Sequence, residues 1–298
     1  MNFVEFGMDT ASLAGTLANK LAVIRAAGFS HAMISANDIV AHPDGSERGA
    51  HAVRESKLRV TGIEALRDFE CLEGKLHRYK LGVAKSMLTV CHDVGGDMLV
   101  VEATTSNHAV SDLERAASDL AKLALLAIPL GIRVAYKPRA GSRTAADLTT
   151  ASDVVSLVSC PNFGLAIDLF DLLVAGKPLD ELDLLDMDQL LLVQLSDFMW
   201  TAIRSTAEQR ATATHFRVFP GEGAHSEAVA NFVARLEKLG YSGLYSLDVY
   251  NDDYLQMPAE TVADRARRCS EWLGETALRR TLPVPNIERL SQKRAAAG

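Results

Sequence analysis

The sequence lacks several signatures that would have settled its class early. Its four cysteines (Cys71, Cys91, Cys160, Cys269) show no CxxC spacing, so neither a zinc site nor a disulfide framework is indicated. They read as reduced thiols in a cytoplasmic protein. No GxGxxG follows an early strand-like run, which removes the dinucleotide-binding fingerprint. There is no excess of basic charge. The formal net charge of -7 argues against nucleic acid or an anionic membrane as partner, while leaving room for a local basic pocket. Long apolar runs are also missing: the stretch 120–130 carries Lys122 and is too short to span a bilayer. The opening MNFVEFGMDT has acidic residues and no basic region before an apolar run, so no targeting segment is expected.

What the chain does have is alternation. FVEFG (3–7), HAMISAND (31–38), LRVTGIEAL (58–66), DMLVVEATT (97–105), IRVAYK (132–137), FGLAIDLFD (163–171), LLLVQLSD (190–197) and GLYSLDVYND (243–252) are strand-like, and helical patterns fall between most of them. The first helix pattern, LAGTLANKLAVIRAAGF, stops at Gly28. Lys20 and Arg25 read as its solvated face, and His92 and His108 as surface or loop histidines. Eight apolar strands, each leading into a helix, predict an α/β fold of the (β/α)8 TIM-barrel type. One barrel domain is expected over 1–275, followed by a polar tail over 276–298 that packs loosely or reaches a neighbouring subunit.

Barrel chemistry gathers at the C-terminal ends of the strands. Those ends carry Glu102, Lys137, Asp168, Gln194 and Asp248, from strands four to eight in turn. Singly, each has a plain reading: Asp168 caps a helix, Gln194 satisfies a backbone group. In register on successive strands they form a site-like set. Lys137 raises the sharpest question, because an ammonium closing a buried strand needs a partner or a task. Arg67, beside Asp68 just past strand three, suits a carboxylate or phosphate or else a neighbouring acid. His215 and Arg217 precede a Pro-Gly turn and read as part of a lid.

The segments GTLANKLAVIRAAGF, ISAND, LRDFE, AIDLFD, LVQLSD, HFRVFPGEG and YSLDVYND together resemble the xylose isomerase-like TIM barrels, the sugar phosphate isomerase/epimerase group, and within it the bacterial 3-dehydroshikimate dehydratases. The resemblance runs from the first strand to Asp253. It implies a divalent metal held by glutamate, aspartate, histidine or glutamine, and glutamate on strands five to eight. Those places hold Lys137, Asp168, Gln194 and Asp248 here. Lys137 departs most, since a protonated lysine repels a cation. Asp171 stands where the dehydratases carry a histidine that moves protons. Met33 and Ala36 replace acidic residues of strand two, and Glu102 appears where relatives have a small or neutral residue.

Two arrangements follow. In one, the Lys137 ammonium takes the metal's volume, paired with Glu102, Asp168 and Asp248, and stabilises an enolate without a cofactor. In the other, Lys137 turns outward and Glu102, Asp168, Gln194 and Asp248 retain magnesium, manganese or cobalt. The reaction implied is a dehydration of the 3-dehydroshikimate type on a small polyhydroxylated keto acid. Arg67 and Arg217 would hold the substrate, and His215 or Asp171 would move protons. A keto-sugar isomerase or epimerase shares the first step. A non-catalytic ligand-binding barrel is the reading from a different class, since a metal ligand and the family histidine are lost together. The resemblance also allows a homo-oligomer.

Overall fold

The computed structural model describes residues 6–176 and 179–278. The start of the expected first strand and nearly all of the expected tail lie outside them. Seven parallel strands come first: β1 (Phe6–Asp9), β2 (His31–Ser35), β3 (Arg59–Arg67), β4 (Met98–Glu102), β5 (Arg133–Lys137), β6 (Phe163–Asp168) and β7 (Leu190–Leu195). A two-stranded antiparallel ribbon follows, β8 (Asp197–Phe198) with β9 (Arg217–Val218). The last strand, β10 (Leu244–Leu247), pairs with both β7 and β1 and closes the barrel. All eight strand-like segments became barrel strands.

Five of the ten α-helices among the described residues begin at a residue whose side chain satisfies a free N–H group. Thr16 accepts from the backbone N–H of Asn19 at the start of α1 (Leu17–Ala26). After the short α2 (Ala36–Val40), α3 (Ser46–Glu55) and α4 (Gly74–Asp93), Asp112 and Asp147 do the same for α5 (Leu113–Ala127) and α6 (Leu148–Val158). Asp168 caps α7 (Leu169–Ala175), and Ser205 caps α8 (Thr206–His215). Then come α9 (Ser226–Lys238) and α10 (Ala259–Thr276). Lys20 departs from the solvated face expected of it: it is buried, with Nζ 2.8 Å from Asp38 Oδ1, because α2 folds over that flank. No helix among the described residues is long and apolar enough to cross a membrane.

Alternation along each strand splits the core in two. Outward side chains such as Phe6, Met8, Leu99, Val101, Tyr136 and Leu247 pack beneath the helices. Met33, Met98, Val100, Ala135, Ala166 and Leu192 form an apolar plug inside the barrel. Two residues further along the same strands the interior turns polar. That layer contains Asp9, Ser35, Glu64, Glu102, Lys137, Asp168, Gln194 and Asp248. The ladder registers Ser35 with Glu64, Glu102 with Lys137, and Asp168 with Gln194.

Candidate active site

Lys137 points into the barrel and is 1% exposed. Its Nζ donates to Glu64 Oε1 at 2.7 Å and to Gln194 Oε1 at 2.7 Å, and lies 3.3 Å from Glu102 Oε1. Gln194 Nε2 donates in turn to Glu64 Oε2 at 2.6 Å, so both Glu64 oxygens are engaged. Burial works against the ammonium charge, but Glu64 and Glu102 outweigh it and raise the lysine above its ordinary pKa. A neutral, nucleophilic amine is therefore disfavoured.

Arg217 supplies a second internal cation, itself 2% exposed. The ribbon carries it over the mouth of the barrel through the Phe198–Arg217 pairing. Its Nη1 donates to Asp168 Oδ2 at 2.9 Å and lies 3.5 Å from Asp248 Oδ2. The guanidinium also stacks 4.4 Å from the Phe170 ring centroid. Asp168 thus serves twice, since its Oδ1 accepts the Phe170 N–H. The expected pairing of Lys137 with Asp168 and Asp248 is divided: Lys137 takes Glu64, Gln194 and Glu102, and Arg217 takes the two aspartates.

The rim is basic. Arg67 Nε donates to Glu102 Oε2 at 2.9 Å, and Arg139 Nη1 lies 3.3 Å from the same oxygen. Burial pushes the Glu102 carboxyl up, but Lys137, Arg139 and Arg67 together bring it down to about 2. Asp171, on α7, has a buried Oδ2 without a hydrogen-bond partner among the described residues. Burial, and next the charge of Asp168, push it up to about 6. Asp248 is pushed up to about 8 by burial and then by Glu64. Glu64, Arg67, Glu102, Lys137, Arg139 and Arg217, with Asp248 and others, line a cavity of about 190 Å³, and Asp171 stands outside that lining. His215 stands apart, half exposed at the end of α8, with Nδ1 3.0 Å from Asp252.

The family model for xylose isomerase-like TIM barrels matches residues 21–274. The chain belongs to that family. A 3-dehydroshikimate dehydratase of Pseudomonas aeruginosa is 32% identical over 293 residues, covering 96% of this chain and 45% of that protein. The chain thus spans about half the length of the curated relatives it matches first. An inosose isomerase of Bacillus subtilis is 21% identical over 71% of this chain and 74% of its own length. Among solved structures, a xylose isomerase-like TIM barrel/4-hydroxyphenylpyruvate dioxygenase fusion protein superposes with a TM-score of 0.84 at 26% identity, covering 93% of this chain and 44% of that one. The IOLI protein with a bound zinc atom superposes at 0.77 with 18% identity, over 92% of this chain and 99% of that one.

The family's metal position, on strands five to eight, is a poor fit for a cation here. Gln194 Oε1 accepts from an ammonium, and Asp168 Oδ2 and Asp248 Oδ2 face a guanidinium. Lys137 points inward, contrary to the arrangement in which it turns away and leaves those oxygens to a metal. Four residues in or beside this layer were not singled out from the sequence: Asp9, Ser35, Glu64 and Arg139. Asp9 lay just beyond the segment read as the first strand, and Glu64 lay inside a strand rather than at its end. Arg139 had a signal, two residues past Lys137 beside Pro138.

Proposed function

We propose that this barrel is a lyase acting on a small polyhydroxylated keto acid, by a dehydration of the 3-dehydroshikimate type. The observation that carries the reading is the pair of buried cations among the residues at the family's metal positions: Lys137 at one of those strand ends, and Arg217 reaching Asp168 and Asp248 from the ribbon. The similarity to a 3-dehydroshikimate dehydratase over 96% of the chain supports it.

Arg67 and Arg139, sharing one oxygen of Glu102 at the rim, are placed to receive the substrate carboxylate in a forked contact. The substrate carbonyl oxygen would then face Lys137. A base removes the proton on the carbon beside the carbonyl, and the C–H electron pair moves into the carbonyl to give an enolate. The Lys137 ammonium stabilises that oxyanion through charge already in place, before the reaction needs it. Collapse of the enolate breaks the C–O bond of the β-hydroxyl, which leaves as water after accepting a proton. Asp171, pushed up to about 6, is mostly ionised at neutral pH yet close enough to it to exchange a proton, which suits a base. His215 would need the α8 end to move inward in order to serve.

The same first step with return of the proton would make a keto-sugar isomerase, and the inosose isomerase similarity favours testing it. The purified protein should convert 3-dehydroshikimate to an aromatic acid, followed by its ultraviolet absorbance, and leave inosose unchanged. In Lys137→Met the rate should fall by at least the roughly 100-fold that losing an oxyanion-stabilising group costs. Turnover of neither substrate, with either one raising the melting temperature, would mark a binding protein instead.

A further inference from the structure

We propose that Asp9, Glu64 and Asp248 form a binding site for a divalent, oxygen-preferring cation that shares Asp248 with the position at which the family holds its metal but is shifted from it toward β1 and β3. One oxygen from each carboxylate lies within 4.8 Å of the others, a spacing that one small ion can bridge. The backbone explains the convergence. Met8 registers with Leu247, so Asp9 and Asp248 follow side by side at the ends of β1 and β10. Glu64 reaches them from β3 across the polar layer, and to ligate the ion it would share or give up its contact with Lys137 or Gln194.

Two further observations point to a ligand. Asp9 Oδ2 and Asp248 Oδ1 are buried and have no hydrogen-bond partner among the described residues, although Asp9 Oδ1 accepts from Ala11 N–H at 2.7 Å and Asp248 Oδ2 faces Arg217. Buried carboxylate oxygens without a partner are costly, and a cation between them would satisfy both. The charges also fail to balance. Glu102 has Arg67 and Arg139 beside it. Among the described residues, the other four carboxylates of the layer, Asp9, Glu64, Asp168 and Asp248, share Lys137 and Arg217. With all of them ionised, as a bound cation would hold them, these five carboxylates exceed their four cations by one negative charge. A divalent cation more than offsets that excess, and an all-oxygen donor set suits magnesium or manganese. Glu64 and Asp248 line the cavity, which supplies the entry path.

The site does not depend on which reaction the barrel carries out, so its test reads binding and not turnover. The full chain, stripped with EDTA and dialysed, is titrated with Mn2+ by calorimetry, and free Mn2+ is counted by paramagnetic resonance. Crystals soaked in Mn2+ give the position from the anomalous signal. The expected result is about one ion per chain, with its peak between the carboxylates of Asp9, Glu64 and Asp248. Asp9→Asn should weaken uptake by no less than the roughly 10–100-fold that losing even a supporting partner costs. Glu64→Gln gives the same reading should Asp9→Asn not fold. Absence of uptake by the unaltered protein overturns the proposal in favour of a proton shared among the carboxylates. A peak among Asp168, Gln194 and Asp248 overturns it in favour of the family position, as does uptake that both variants retain.

Discussion

At the scale of single residues, Lys137 and Glu102 show how a buried charge is made tolerable. Lys137 is held by Glu64 and Gln194 as much as by Glu102, so its charge persists although it is buried. Glu102 sits between that lysine and the two rim arginines. Its carboxyl is held at about 2, below the ordinary 4.5, so it favours the folded state at neutral pH. That contribution is complete above about 4.5 and is lost as pH falls toward about 2. Glu102→Gln should therefore lower stability at pH 7, by somewhat less than the about 3–5 kcal/mol that breaking a buried pair costs, since Lys137 keeps Glu64. Urea denaturation should show the gap between variant and wild type narrowing as the buffer is taken down through pH 4 to pH 3. A gap that is constant across that range would mean that the carboxylate charge is not what stabilises this corner.

At the scale of elements, the strands were legible because burial on both faces leaves continuous apolar runs, and the helices because their caps and stops are local chemistry. The ends were less so. The first strand ends at Asp9 rather than Gly7, which is why Asp9 was not counted with the other strand ends. β3 runs from Arg59 to Arg67 with a shift in register against β2 between Ala32 and Met33, which leaves Glu64 level with Ser35 in the polar layer. The ribbon β8–β9 has two residues in each strand, too few for any periodic pattern, yet it is what buries Arg217. That is why the Pro-Gly neighbourhood of Arg217 suggests a lid when read from sequence. β3 also depends on a close approach. A Cβ at Gly62 would sit 2.3 Å from the carbonyl oxygen of Met98, a backbone atom that cannot step aside. Gly62→Ala should cost about 1–3 kcal/mol by overpacking, read as a lower urea midpoint with an unchanged slope. An unchanged midpoint would mean that β3 and β4 can part there freely.

At the scale of the whole molecule, charge is distributed in two ways that composition merges. The net charge of -7 is spread over the molecule, while the cavity brings Arg67, Lys137, Arg139 and Arg217 together with Glu64, Asp68, Glu102 and Asp248. The protein should pass through a heparin column at an ionic strength of about 0.15 M, where the screening length is short and a net negative surface offers nothing to a polyanion. Retention there would reveal a basic face that the total conceals.

By itself the sequence determined the barrel, its eight strands, the family, and five of the eight residues in the polar layer. The family rests on the resemblance of seven segments, and the rest on short-range pattern: apolar period, capping residues, and the rule that strand ends in a barrel face one another. Only the tertiary structure decided which charges meet. Lys137 and Glu64 are 73 positions apart, and Asp9 and Asp248 come together only where the barrel closes. Pairing at such separations depends on strand register and side-chain reach, and neither is written in any local stretch of the chain.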